Sequence, residues 1–489
     1  MKILKKSQII AAEQGAVKDG ALSLSSLMFK AGNAFADCIA KRYKVIGAKI
    51  TVVCGKGNNG GDGLVIASRL KHLGAEVSLV FPLGLPDTET AMPYLNVIEK
   101  VKVLSEIPCS CDILIDALFG IGLSRELEGA AANTVGLMNI CEAIKVSVDI
   151  PSGADADAEF VSKTVFKADF TATFIALKPC FVMPQSSDYC GEYEVLDIGV
   201  KPQEYSYLIN PKPVFKKRPK NSHKGTFGTA LFIAGSYGMC GAEILSVRGA
   251  YSLGVGMCRA FVCDKNYTAF TTSVPEAVTI PVSTSLMGAP VITDELLARE
   301  LLKSNALLIG CGLSSGAEAL GLVKKALQLT TIPTVIDADG INALSLDISI
   351  LQKTKAPTII TPHPKEMSRL IRKSVEEIER NRVYYANAFS AMYQCIVVLK
   401  GANTVIASPD GRVFINTTGN SGLAVSGSGD VLSGMMVSLL SQGYSPLTSA
   451  LASVYLHGEA ADNATKVISQ SALLPTDIID ELRKGGYML

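Results

Sequence analysis

The chain has 489 residues, with 46 Lys+Arg against 45 Asp+Glu, a net charge of +1, 48% hydrophobic residues and 6% aromatics without a tryptophan. At roughly 150 residues per domain this length predicts two to four domains, each able to bury a core. The balanced charge excludes a nucleic-acid binder that works through bulk charge and an acidic disordered chain, while few aromatics beside 43 glycines argue against a base-stacking platform and suit an α/β enzyme.

Mean hydropathy is +0.30, yet no apolar run approaches the roughly 18–20 residues that span a bilayer. Stretches such as 306–310 are strand-length. The basic start (Lys2, Lys5, Lys6) is interrupted by Gln8, Glu13 and Gln14, which predicts no signal peptide. Twelve cysteines lie scattered among apolar neighbours with no Cys-x-x-Cys pair. They predict free thiols in a reducing, cytoplasmic setting.

In chain order, 50–54 (Ile-Thr-Val-Val-Cys) is a β-rich run ending in a glycine cluster. Residues 63–73 place Leu64, Val65, Ala67, Leu70 and Leu73 at helical spacing, and Gly74 stops them. Residues 76–81 read as another strand, and 113–116 and 146–150 are short apolar runs, as strands covered on both faces are in a parallel sheet. Pro202, Pro211, Pro213 and Pro219, mixed with Lys212, Lys216, Lys217, Arg218 and Lys220, predict a solvated junction. Beyond it, strands are expected at 230–234, 306–309, 334–336, 358–360 and 396–399. A hairpin is expected around Pro409-Asp410-Gly411. Asp430 to Gln442 reads as a helix, with Val431, Leu432, Met435, Met436, Leu439 and Leu440 as its core stripe. The halves, 1–210 and 215–489, read as two different α/β domains.

The first candidate site is the loop Gly55-Lys-Gly-Asn-Asn-Gly-Gly-Asp-Gly63 between a strand and a helix. Bare amides at a helix start favour anions, and glycines admit a ligand to the backbone. Asn58, Asn59 and Asp62 add side-chain oxygens. No Gly-Lys-Ser/Thr closes the loop, so it is not a Walker A sequence, and its spacing is not the usual dinucleotide fingerprint. Two further strand ends carry acids: Asp116, before Ala117-Leu-Phe-Gly-Ile-Gly122, and Asp149, before Ile150-Pro-Ser-Gly153. Ligands of parallel sheets bind beyond the carboxyl ends of strands, so the three point at one crevice.

These motifs, with Leu27-Met28, Ala31-Gly32, Leu177-Lys178-Pro179 and Asp197-Ile198-Gly199, resemble the NAD(P)H-hydrate epimerase domain over residues 1–210. The resemblance implies a Rossmann-like three-layer domain that holds a potassium ion on Asn59, Asp116 and Ser152. It implies contact of Asn58, Asn59, Gly60, Gly61 and Asp62, and of Gly120, Ile121, Gly122, Leu123, Ser124 and Arg125, with the hydrated dinucleotide. Asp149 would sit at the reacting ring. Phe29-Lys30 stands where the family has an acid-amide pair.

In the second half, Gly427-Ser-Gly-Asp430 opens the predicted helix. Its amides can hold phosphoryl oxygens while Asp430 accepts a hydroxyl proton. Lys400-Gly-Ala-Asn-Thr404, Asp337-Ala-Asp-Gly340 and Thr361-Pro-His-Pro364 with Glu366 each follow a strand. The paired acids are candidates for managing magnesium. His363, between two prolines, is the histidine expected to bind a ligand, whereas His72 and His457 need no function. His223 lies in a loop that could act as a lid.

Together with Ser222–Gly228, Ala234-Gly-Ser236 and Gly241-Ala242, this set resembles the ribokinase-like superfamily. More narrowly, it resembles the ADP/ATP-dependent NAD(P)H-hydrate dehydratase over about 215–489. The resemblance implies a ribokinase-like α/β domain with Asp430 as base. Lys400, Gly401, Ala402, Asn403, Thr404 and Gly429 would bind ADP or ATP with Mg2+. Ala242, Gly312 and His363, with Asp430, would contact the substrate. Three positions depart from the family: Gly310-Cys-Gly-Leu-Ser314 replaces Gly-Pro-Gly-Leu-Gly, Lys365 replaces a glycine, and Ser426-Gly-Ser-Gly-Asp430 replaces Gly-Gly-Thr-Gly-Asp.

The leading expectation is a bifunctional metabolite-repair enzyme, acting on hydrated NADH or NADPH at the expense of ADP or ATP. It is expected to be a homo-oligomer with no nucleic-acid or membrane partner. Two alternatives stay open: a small-molecule kinase with an accessory domain, and an N-terminal half that only binds ligand or scaffolds.

Overall fold

The computed structural model describes residues 1–485 apart from 19, 21, 203, 216 and 315; Lys216, one of the junction lysines, lies outside the described residues. The chain divides into two compact units, Met1–Leu208 and Ile209–Leu489.

In the first unit a short strand, β1 (Lys2–Ile3), precedes a seven-stranded sheet. The sheet strands are β2 (Lys49–Cys54), β3 (Glu76–Val80), β4 (Lys102–Leu104), β5 (Ser110–Ala117), β6 (Glu142–Val148), β7 (Phe170–Phe174) and β8 (Glu192–Leu196). Their order is β4-β3-β2-β5-β6-β7-β8, and every pairing is parallel. Residues 51–54 and 113–117 are buried throughout, which explains their mostly apolar composition. The helices Leu24–Arg42 and Asn58–His72 bury Phe35, Ile39, Leu64 and Leu70 on one face. Gly129–Ile140 covers the other with Val135 and Met138. The result is three layers. Ser23 caps the Leu24–Arg42 helix through the Ser26 amide, and Lys41 and Arg42 complement its C-terminus.

A last short strand, β9 (Tyr207–Ile209), pairs antiparallel with β1 through Lys2–Leu208 and Ile3–Tyr207. The second unit has β10 (Thr229–Ile233), β11 (Met257–Cys263), β12 (Val278–Thr284), β13 (Pro290–Val291), β14 (Ala306–Ile309), β15 (Thr334–Ile336), β16 (Thr358–Ile360), β17 (Ile396–Leu399), β18 (Val405–Ala407) and β19 (Val413–Ile415). They run in the order β19-β18-β17-β16-β15-β14-β10-β11-β12-β13. The centre, β17 through β12, is parallel, and antiparallel strands close both ends. The helices Ser428–Ser441, Pro446–Ala464 and Pro475–Arg483 share a core built on Val431, Met435, Leu439, Leu456 and Ile478.

Two helices start earlier than their apolar periodicity predicts: Asn58 instead of Gly63, and Ser428 instead of Asp430. In both, glycine and small polar residues form the first turn, where no apolar side chain faces the core. Gly57 and Gly427 are the N-caps and supply no side-chain hydrogen bond. Among the described residues no helix is long and apolar enough to cross a membrane.

Candidate functional site

Each sheet has one place where chain order reverses between neighbours, and in open α/β sheets ligands bind there beyond the strand carboxyl ends. In the first unit the reversal lies between β2 and β5, so the glycine cluster after β2 faces Asp116 near the end of β5. The cluster is backbone packed on backbone. A Cβ on Gly55 would stand 1.9 Å from the Leu118 carbonyl oxygen, and one on Gly60 would stand 1.8 Å from that of Gly55.

Asp116 is fully buried. Its carboxylate accepts from the Ser152 amide (2.8 Å), the Ser152 hydroxyl (2.7 Å) and the Leu118 amide (3.1 Å). Burial pushes it up to about 6, against those hydrogen bonds. Asn59 is buried beside Gly120, where its Oδ1 would be 3.0 Å from a Cβ, and its Nδ2 has no partner. Asp116, Ser152 and Asn59 are thus gathered in one crevice, and each carries an oxygen donor.

Asp149 lies one residue beyond β6, with a left-handed φ of 67°. Lys178 Nζ pairs with its Oδ1 at 2.5 Å and is itself almost fully buried. Lys178 also donates to Thr173 Oγ1 (2.7 Å) and the Phe174 carbonyl (2.9 Å), and Thr173 Oγ1 donates to Asp149 at 2.9 Å. The sequence reading missed a further acid here. On the Lys6–Lys18 helix, Ile9 is buried in a cluster with Leu4 and Ala176, against which Ile121 and Ile175 pack. Glu13, one turn later on the same face, comes near enough to Asp149 and Lys178 to feel both charges. Burial and then the Asp149 charge push it up to about 7. Asp62 is raised too, by burial and by Asp149 and Glu13. In the sequence Glu13 stood out only as a break in an apolar N-terminal run; the periodicity from Ile9 was the available signal.

The 120–125 turn divides. Gly122, Ser124 and Arg125 are exposed, whereas Leu123 is buried in the opposite core with Leu118 and Leu127. Its side chain is therefore turned into the core, and only its backbone faces outward.

In the second unit the reversal lies between β14 and β10. The turns beyond them interlock: the Gly235 amide donates to the Cys311 carbonyl (3.0 Å) and the Ser236 amide to that of Gly312 (2.7 Å). Gly312, at φ 56°, sits against Ala242. Asp430, on the first turn of its helix, gathers with Asp337 and Cys311, their ligand atoms within 4.8 Å of one another. Burial, then the Asp337 charge, pushes Asp430 up to about 7. Asp337 is held by Lys400 Nζ at 2.7 Å and by Ser433 Oγ at 2.6 Å. Gly429 lies beside both, at 3.5 Å from Lys400 Nζ and 3.9 Å from Asp337 Oδ2 as measured from its Cβ position.

Several residues have uses the sequence did not reveal. Lys400 is the counter-ion of Asp337, while Arg382 holds the 400–404 turn through the carbonyls of Leu399 and Lys400. Thr404 Oγ1 donates to the Gly401 carbonyl within that turn, Ala402 is exposed, and Asn403 has φ 52°. His363 caps the Pro364–Ile371 helix, its Nδ1 accepting from the Lys365 and Glu366 amides. Burial and the Lys400 charge lower its pKa. Asp339 accepts from the Ser314 amide at 3.0 Å. His457, expected to need no function, is buried with Nε2 at 3.1 Å from the Ser428 carbonyl and 3.3 Å from its hydroxyl. It therefore anchors the turn that carries Gly429 and Asp430.

Comparison with known proteins matches a different family model to each unit. Residues 230–484 match the NAD(P)H-hydrate dehydratase family model, and residues 24–180 match the YjeF-related protein N-terminus. The bifunctional NAD(P)H-hydrate repair enzyme Nnr of Moorella thermoacetica is 35% identical, over 93% of this chain and 91% of its own. That of Thermofilum pendens is 34% identical, over 99% and 96%. The solved ADP/ATP-dependent NAD(P)H-hydrate dehydratase from Bacillus subtilis, co-crystallized with ATP/Mg2+, is 30% identical with a TM-score of 0.48, covering 55% of this chain and 93% of its own. With the two family models matched in turn and relatives above 30% identity covered over more than nine-tenths of their length, the chain belongs to the family of bifunctional NAD(P)H-hydrate repair enzymes.

Proposed function

We propose that the first unit interconverts the R and S forms of hydrated NAD(P)H, and that the second dehydrates the S form at the expense of ADP or ATP. The observation that carries this reading is the pair of acid-lined crevices, each at a sheet reversal and each entered by glycine-freed helix amides.

In the first crevice, Asn58 to Asp62 and the 120–125 turn receive the dinucleotide. Asn59, Asp116 and Ser152 offer only oxygen donors, a set that fits a hard cation such as potassium, which would supply positive charge for the phosphates. The ring carbon exchanges its hydroxyl. A carboxyl group gives its proton to the departing oxygen, the C–O bond breaks, and the ring nitrogen lone pair forms C=N. Water then adds from the opposite face and returns a proton to a carboxylate. Asp149, beside the Lys178 ammonium, is the proton acceptor. Glu13, which keeps its proton up to about 7, is the donor.

In the second crevice, Asp430 takes the proton of the ring hydroxyl as its oxygen bonds to the terminal phosphorus of the nucleotide and the bridging P–O bond breaks. Amides of the Gly427–Gly429 turn stabilise the developing charge. The phosphate then leaves the ring carbon, a proton leaves its neighbour, and the ring double bond returns. Lys400 to Thr404 and Gly429 bind the nucleotide; Ala242, Gly312 and His363 face the ring. Magnesium enters with the nucleotide phosphates, which bind it well.

The test is recovery of reduced-nicotinamide absorbance from mixed NADH-hydrate epimers in potassium buffer, with ADP, ATP or neither. Full, nucleotide-dependent recovery with equimolar phosphate release is expected. A stable phosphorylated product would instead identify a small-molecule kinase.

A further inference from the structure

Nothing in the phosphoryl-transfer chemistry uses Cys311. Its thiol is fully buried, with Sγ 3.9 Å from Asp337 Oδ2, and lies within the 4.8 Å group that includes Asp430. The position is set by backbone: Gly310 and Gly312 on either side have φ of 124° and 56°, and the Cys311 carbonyl takes the Gly235 amide. As packing, the thiol gains one long hydrogen bond, donated to Asp337 Oδ2. As a ligand it is well placed. One sulfur and two oxygens converge from three elements: the turn after β14, the end of β15 and the first turn of the Ser428–Ser441 helix. The half-buried Asp430 side leaves a fourth position for solvent.

Charge supports the same reading. Two carboxylates and a thiolate carry three negative charges, and Lys400 at 2.7 Å from Asp337 supplies one positive. A divalent ion offsets negative charge that Lys400, shared with Glu366 at 3.9 Å, does not cover, which lowers the cost of burying the set. A sulfur donor selects zinc-class ions over magnesium, and three protein ligands with one open position is a regular zinc arrangement.

We propose that Cys311, Asp337 and Asp430 form a binding site for a thiophilic divalent cation of the zinc class, and that its occupancy takes Asp430 out of phosphoryl transfer. On binding, the thiol proton passes to solvent and a metal–sulfur bond forms, with no change of oxidation state. The inhibitory half rests on the dehydratase reading above; the binding half does not.

The test uses the full chain, freed of metal with a chelator, and Co2+ as a spectroscopic probe. Wild type is expected to develop a thiolate-to-cobalt charge-transfer band at one equivalent, which Zn2+ bleaches. Cys311→Ser, checked for an unchanged melting transition, should lack that band, and Cys311→Ala serves if serine disturbs the fold. In Asp430→Asn, cobalt affinity should fall by about tenfold or more. The same band in wild type and both Cys311 variants would place the metal on other cysteines and overturn the site. Dehydration rates with and without Zn2+, compared within each variant, should fall by about tenfold in wild type and stay within about twofold in Cys311→Ser. A Cys311-dependent band without inhibition would overturn the second half alone. If no variant dehydrates the substrate, the dehydratase reading fails, and the cobalt titration still decides the site.

Discussion

Lys400 Nζ lies 2.7 Å from Asp337 Oδ1, and among the described residues no cation stands at that distance from Asp430 in the same pocket. The pairing sets the two acids apart. Burial raises Asp337, but the Lys400 charge and hydrogen bond, with Ser433, bring it below its ordinary value. Asp430 feels burial and the Asp337 charge, and rises to about 7. A base acts only when ionised, so dehydration should rise with pH, to a plateau above about 8, with about a tenth of it left one pH unit below the midpoint. The kcat/KM profile on pure S hydrate checks this. Asp430→Asn should lose about 10²–10⁴ in kcat; a profile flat from pH 6 to 8 would exclude Asp430 as the base.

The same carboxylate costs stability. Its folded pKa lies above the unfolded value, so it favours the folded state below about pH 4 and loses that contribution as pH rises towards about 7. Asp430→Asn should therefore be more stable than wild type at about pH 8, by about 2 kcal/mol after allowance for partial solvent screening. The gain should vanish near pH 4. Chemical denaturation of both proteins at the two pH values measures it.

Asp149 and Glu13 are expected to divide base and acid work in the epimerase. Asn tolerates the left-handed backbone at position 149, so Asp149→Asn removes the charge without straining the main chain, although the buried Lys178 loses its carboxylate partner. Lys178 keeps its bonds to Thr173 and Phe174. Exchange between R and S hydrates, followed by chromatography, should slow by about 10²–10⁴, while dehydration of pure S hydrate is unchanged. Glu13→Gln should slow exchange by about 10–100-fold and remove the decline in rate above pH 7 that loss of the Glu13 proton causes. An unaltered pH profile would exclude Glu13 as the donor.

Gly55→Ala and Gly60→Ala drive a methyl into a carbonyl oxygen at 1.9 and 1.8 Å. Each should destabilise the first unit by about 1–3 kcal/mol and abolish epimer exchange, with dehydration at 25 °C retained. A lower first melting transition, with the dehydratase assay intact, is the expected record.

Much of this was legible in the sequence because the central strands announce themselves. The runs at 306–309, 334–336, 358–360 and 396–399 are strands with those bounds, each buried on both faces and so apolar without alternation. β11 and β12 were not read out: Arg259 in one and Pro281 in the other interrupt the apolar run. Site motifs were legible where glycine and acid cluster in sequence. Partnerships across the fold were not. Lys178 with Asp149 joins residues 29 apart, Lys400 with Asp337 joins residues 63 apart, and no local spacing encodes either. Glu13 was hidden for the same reason, since its neighbours arrive from strands far along the chain.

The cradle after β2 is made of main chain lying on main chain, from Gly55 against Leu118 to Gly60 against Gly55. Side-chain replacement can hardly reshape such a surface; it can only break it. Evolutionary retuning for one dinucleotide over another, such as NADH hydrate over NADPH hydrate, is therefore channelled to the rim, where Lys56, Ser124 and Arg125 stand exposed. A library randomised at those rim positions should yield altered preference with the fold intact, while one randomised in the cradle should yield mostly unfolded chains.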